Sequence, residues 1–147
     1  MLRYTLLHPG LAAALAAAGH GSRVLLADAN YPHSTGVRAG AERVHLNLRP
    51  DLVTVDQVLE VLVEAVPVES ASVMVPGGVA GDVAPAGEPV PAHAGYRTVL
   101  GPHVGWHELD RFAFYEAARS DDVALLVATG DQRVYANLLL TIGVRQG

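Results

Sequence analysis

The sequence predicts a single-domain α/β protein whose central, mostly parallel sheet is covered by helices. Three observations lead there. Short apolar runs such as RVLLADA and VALLVATG have the length and composition of buried strands. LAAALAAA and VDQVLEVLVEAV have the composition or spacing of helices. The two kinds alternate along 147 residues, which is the pattern of strands laid side by side with helices packed across their faces. Half of the residues are hydrophobic, enough for one core, and neither an internal repeat nor a second domain is visible in 1–147.

Pro9 and Gly10 lead into LAAALAAA, and Gly19 stands where a helix end favours a left-handed residue, so a helix is expected over roughly 9 to 18. RVLLADA then reads as a buried strand that delivers Asp28 to its C-terminal edge, and NYPHSTG as a loop. RVHLNL, at 43 to 48, alternates Val44, Leu46 and Leu48 with polar residues as a second strand does. Thr54 starts a helix in which Val55, Val58, Leu59, Leu62 and Val63 follow helical spacing. SASVMVP, 70 to 76, is a strand candidate. Gly and Pro crowd the stretch from Pro76 to Gly105, where no element is assigned. Asp110 is placed to cap a helix through RFAFYEAARS; VALLVATG is a continuous apolar strand; RVYANLLLTIGV fits strand or helix by pattern. The apolar LLLTIGV is also the kind of segment expected to be buried between subunits.

Several functional classes are disfavoured. The chain has no cysteine, hence no disulfide, thiolate metal site or cysteine nucleophile. Its ten basic residues, all arginine, face fifteen acidic ones without a basic stripe, which argues against nucleic-acid binding. No apolar run approaches the length of a membrane span, and Pro9 and Gly10 interrupt the N-terminal run, which reads as mature structure rather than a leader. The seven histidines show no compact ligand spacing; His103 and His107 are four apart but have Gly105 between them. GHGSRV lacks the third glycine of a dinucleotide fingerprint and precedes a strand instead of following one. No metal and no bound nucleotide are therefore expected.

Among residues able to carry chemistry, His20 sits between Gly19 and Gly21, where the backbone can turn tightly and an imidazole suits proton transfer; its ordinary alternative is a helix-end histidine bonding free carbonyls. Asp28, at the end of an apolar strand, stands where open α/β sheets bind ligands; its alternative is a turn-forming or capping aspartate. Phe112, Phe114 and Tyr115 fit core or interface better than a site, and only Tyr115 is kept as a possible ligand contact.

GHGSRVLLADANYP, DRFAFYEAA and ATGDQRVYANLLLTIGV, in that order and at compatible spacing, together resemble the D-ribose pyranase and L-fucose mutarotase family, closer to the fucose type. The resemblance spans most of the chain outside the middle segment. It implies an α/β fold, no cofactor, a cytoplasmic enzyme, and a ring-shaped homo-oligomer such as a decamer with sites where neighbouring subunits meet. Carried over residue by residue, His20 matches the general acid/base and Asp28 the sugar-binding carboxylate. Tyr135 and Asn137 match pocket residues, and Arg111 falls where fucose-type members have arginine and ribose-type members histidine. Ser22 and PHST after Tyr31 depart from the family pattern, as does the segment from Pro76 to Gly105. The expected activity is ring opening and reclosure of a reducing monosaccharide such as L-fucose. The other reading is a sugar-binding accessory protein of a transport system that lacks turnover.

Overall fold

The computed structural model describes residues 1–147. In chain order the elements are α1 (Pro9–Ala17), β1 (Arg23–Ala27), β2 (Glu42–His45), α2 (Val55–Ala65), β3 (Val68–Met74), α3 (Pro91–Leu100), β4 (Gly105–Leu109), α4 (Arg111–Ala118), β5 (Val123–Ala128) and β6 (Leu138–Ile142). The six strands form one sheet in the order β2-β5-β1-β6-β3-β4. Five run parallel; β6 alone is antiparallel, between β1 and β3.

Side-chain alternation along β1 shows how the layers form. Val24 and Leu26 join one buried cluster with Leu11 and Leu15 of α1, Val58, Leu59 and Leu62 of α2 and Tyr96 of α3. Leu25 and Ala27 face the other side, against Tyr31, Phe114 and Ala118. Strands apolar on both faces are what a sheet covered twice requires.

Local chemistry sets the helix starts. Pro9 occupies the first turn of α1, and the His8 ring accepts the Leu11 N–H at 3.1 Å. Thr54 and Gln57 form a reciprocal capping box on α2, and Asp110 accepts the Ala113 N–H at 2.9 Å on α4.

Four expectations need correction. The strand expected over 43 to 48 ends at His45, because its partner β5 ends at Ala128; Leu48 is left exposed, with its N–H bonded to the Leu52 carbonyl. The 70 to 76 strand is instead Val68–Met74. The segment from Pro76 to Gly105 contains α3 and leads into β4. In α3, Pro91 fits the first turn, and Gly95 lies where a Cβ would come 2.8 Å from Asp56 Oδ1 on α2. The segment LLLTIGV supplies β6, whose Leu138, Leu139, Leu140 and Ile142 are buried in the chain's own core rather than left for a subunit interface.

Candidate functional site

The one antiparallel strand brings two distant residues together. Asp28 follows the last residue of β1 and Asn137 precedes the first of β6, so their opposed directions put the end of one beside the start of the other. The Asp28 N–H donates to Asn137 Oδ1 at 2.8 Å, and Asn137 Nδ2 donates to Asp28 Oδ2 at 2.8 Å. Asp28 Oδ1 also accepts the Asn30 N–H at 2.9 Å, so the turn-forming role and the site role coexist. Both residues are buried.

Around this pair is a cavity of about 270 Å³, small for a ligand pocket, lined also by Tyr31, Met74, Arg111, Tyr115 and Tyr135. It opens at the C-terminal edge of the parallel strands, where α/β sheets place their ligands. A larger cavity of about 990 Å³ lies between the N-terminal segment, α1 and α2, but its lining is mainly apolar and holds none of these converging polar groups. No group of three His, Asp or Glu side chains is placed to hold a metal ion.

Tyr135 has a positive φ of 58°, unusual for a side chain of its size, and is held from three sides. Its hydroxyl accepts the Val83 N–H at 2.9 Å. Its carbonyl accepts from His93 Nε2 at 3.2 Å, and the next carbonyl, of Ala136, accepts from the Tyr96 hydroxyl at 2.8 Å. Because a carbonyl only accepts, the His93 hydrogen lies on Nε2; burial lowers the affinity of this ring for a second proton. Behind it, buried Asp131 takes the Arg133 N–H and Nε on Oδ1, and the Val55 N–H and Arg133 Nη2 on Oδ2. Burial would raise this carboxyl, but the bonds from Arg133 and Val55 outweigh it and hold it below its ordinary range. Arg133 reaches on to Asp56, tying the loop to α2.

Four of the five expected site residues, Asp28, Arg111, Tyr135 and Asn137, therefore line one pocket, joined by Tyr115. His20 is not among them. It lies in the turn before β1, between Gly19 and Gly21 with φ of 125° and 80°, at the opposite edge of the sheet. The five residues of β1 put roughly 17 Å of strand between it and Asp28. Its side chain is 58% exposed and bonds Glu69 Oε2 at 3.1 Å, instead of the carbonyls at the end of α1. The ordinary alternative for Arg111, pairing with Asp110, Glu108 or another acidic neighbour, is met in part: the guanidinium lines the pocket and also faces an acidic residue, Asp82, while donating to the Ala80 carbonyl. Tyr31, Met74, Asp82 and the His93–Tyr96 support escaped the sequence reading; only TGDQR, with its paired charges beside Tyr135, carried a local signal.

Burial raises the Asp28 carboxyl to about 6, against bonds from the main chain of Asn30, Tyr31 and Ala136 that favour the ionised form. The folded chain thus holds this proton more tightly than the unfolded chain. The resulting stabilisation is fully present below pH 3.8 and is lost as pH rises through about 6, a swing on the order of 3 kcal/mol. Urea unfolding of wild type and Asp28→Asn between pH 7.5 and 4.5 checks this: wild type should gain on the variant as pH falls. A difference independent of pH would contradict it.

The fold and the pocket define an α/β protein with a small polar site at the strand ends. Comparison with known proteins makes the class specific: residues 1–145 match the RbsD / FucU transport protein family, and the chain belongs to that family. It is 36% identical over 150 residues to a fucose mutarotase of Bos taurus, covering 95% of this chain and 90% of that one. It is 32% identical over 144 residues to a D-ribose pyranase of Paracidovorax citrulli, covering 98% of each. Among solved structures, FucU from Bifidobacterium longum superposes with a TM-score of 0.76 at 26% identity, covering 95% of both chains. The fold of the Streptococcus pneumoniae fucose mutarotase in complex with L-fucose matches with a TM-score of 0.79 at 24% identity, over 99% of this chain and 100% of that one.

Proposed function

We propose that this protein is an isomerase that interconverts the anomers of a reducing monosaccharide, a fucose-like pyranose before ribose, by opening and reclosing the ring. The observation that carries this reading is the buried Asp28–Asn137 pair, facing a small polar pocket with Tyr135 and Arg111, in a chain whose relatives include a fucose mutarotase and a D-ribose pyranase.

Ring opening moves two protons. One reaches the ring oxygen as its bond to the anomeric carbon breaks; another leaves the anomeric hydroxyl, which becomes the carbonyl of the open chain. Rotation about the bond to that carbon and reversal of both transfers close the ring on the other face. The Asp28 carboxylate accepts sugar hydroxyls, Arg111 donates to them, and Tyr135 and Asn137 complete the fixed geometry. His20 is the general acid/base. Because one chain separates it from Asp28 by the length of β1, the working site takes His20 from a neighbouring copy, in a ring-shaped homo-oligomer such as a decamer. Val83 and Val134, large apolar residues exposed on the pocket lining, and exposed Phe112 next to Arg111 suit such an interface. A cytoplasmic location goes with the family resemblance alone; separately, no helix is long and apolar enough to cross a membrane.

Exchange NMR on fucose, ribose, galactose and glucose tests the reading, since it reports anomer exchange at equilibrium. Acceleration with fucose, persisting after chelation, is expected; unchanged rates on every sugar would reject the enzyme, and sugar binding without exchange would favour the accessory protein instead. A stable monomer in sedimentation would contradict the shared site. Arg111→His should slow fucose exchange more than ribose exchange, and Arg111→Ala should slow both, because a guanidinium offers more fixed donors than an imidazole. Equal effects on the two sugars in both variants would remove the fucose preference while leaving the mutarotase reading.

A further inference from the structure

The turn after β3 contains a buried charge that does not line the pocket. The Asp82 side chain is 5% exposed. Its Oδ2 accepts the N–H groups of Gly77, Gly78 and Val79 at 3.0, 2.9 and 3.1 Å, which closes the turn on itself. Its Oδ1 is buried without a hydrogen bond and lies 3.9 Å from Arg111 Nε, which is also buried and unbonded. A buried carboxylate with one oxygen unbonded is costly unless a cation faces it, and here the guanidinium is that cation.

The residues on either side extend the contact. Arg111 Nη2 donates to the Ala80 carbonyl. Gly81, with φ of 85°, lies where a Cβ would come 2.6 Å from Arg111 Nη2, so the guanidinium approaches the turn where only glycine leaves room. Val83 then gives its N–H to the Tyr135 hydroxyl. One short turn grips two pocket residues from separate elements, Arg111 at the start of α4 and Tyr135 in the loop before β6.

We propose that Asp82 is a positioning residue for sugar recognition, which through the 77–83 turn fixes the Arg111 guanidinium and the Tyr135 hydroxyl in the arrangement that receives the sugar. The inference rests on the mutarotase reading above. Asp82 touches no substrate; it acts through Arg111, whose Nη1 makes no hydrogen bond within the chain and remains a donor for a sugar hydroxyl.

Asp82→Asn separates this role from a structural one. An amide oxygen can still accept the three turn N–H groups, but the amide nitrogen then faces Arg111 Nε donor to donor. In exchange NMR the KM for fucose should rise roughly threefold to thirtyfold with kcat within about twofold, because binding geometry is lost and the proton-transfer group is untouched. In an Arg111→Ala background the same substitution should change KM by less than about twofold, since its intermediary is gone. Asp82→Ala, which also frees the turn, should exceed Asp82→Asn. An unchanged KM in Asp82→Asn, or the same factor in both backgrounds, would overturn the proposal. The Arg111 Nε–H resonance, assigned by its loss in Arg111→Ala, gives a readout independent of turnover: it should shift in Asp82→Asn, and an unmoved resonance would overturn the coupling. Absence of exchange in wild type would instead sink the mutarotase reading, and the resonance would then decide the coupling alone.

Discussion

A folded His20→Gln variant should exchange fucose anomers roughly 100- to 10,000-fold more slowly than wild type, the loss expected when a general acid/base is removed. Glutamine keeps a polar group that can face Glu69 but cannot carry a proton back and forth. The position of His20 makes the experiment more informative than the rate alone. His20 lies before β1 and Asp28 after it, at opposite edges of the sheet, so a working site needs two chains if both residues serve it. Co-refolding His20→Gln chains with Asp28→Asn chains should therefore restore activity, because some interfaces then pair an intact His20 with an intact Asp28. For random mixing about a quarter of the sites are restored in this way. Exchange in the mixture no faster than the sum of the two variants would show that no site is shared between chains. Near-normal exchange by His20→Gln alone would pass the proton-transfer role elsewhere, with Tyr135 as the next candidate.

Removing the Asp131 carboxylate should have the largest effect on stability among the polar residues. Both oxygens are fully engaged, the residue is inaccessible to solvent, and the partners come from two places: Arg133 in its own loop and the Val55 N–H at the start of α2. Asp131→Ala leaves that N–H buried without a partner and the guanidinium short of a counter-charge. A loss of about 2–4 kcal/mol is expected, below the value for a fully buried pair because Arg133 remains 39% exposed. Asp131→Asn, which keeps an oxygen for Val55, should lose less. Urea midpoints for the three proteins check the order, and a loss under about 1 kcal/mol for Asp131→Ala would contradict it. Exchange should fall as well, because this loop carries Tyr135 with its positive φ.

How far the site can be read without the fold differs from residue to residue. Asp28 is legible because an apolar strand followed by a carboxylate is a local pattern, and α/β sheets use that edge. Arg111, Tyr135 and Asn137 came into view through resemblance, since nothing in their own neighbourhoods points to a ligand. Asp82 was hidden in a stretch whose glycines and prolines show only that the chain turns. Its meaning depends on Arg111, which lies after β4 and out of reach of any local pattern. α3 was missed for a related reason: Gly95 weakens the helical signal, yet it is where α3 comes close to Asp56 on α2.

The sequence by itself determined the class of fold, the apolar strands β1 and β5, and the starts of α1, α2 and α4, because apolar periodicity and capping act within a few residues. It left open whether RVYANLLLTIGV was strand or helix, and only the tertiary structure decided it. The gap between β1 and β3 accepts one strand with apolar side chains on both faces, and β6 fills it running antiparallel. That direction sets Asn137 against Asp28; a parallel strand would have placed it at the His20 edge. The pocket and the separation of His20 from it follow from strand order and direction, which are set by packing across the whole sheet and not by any segment alone.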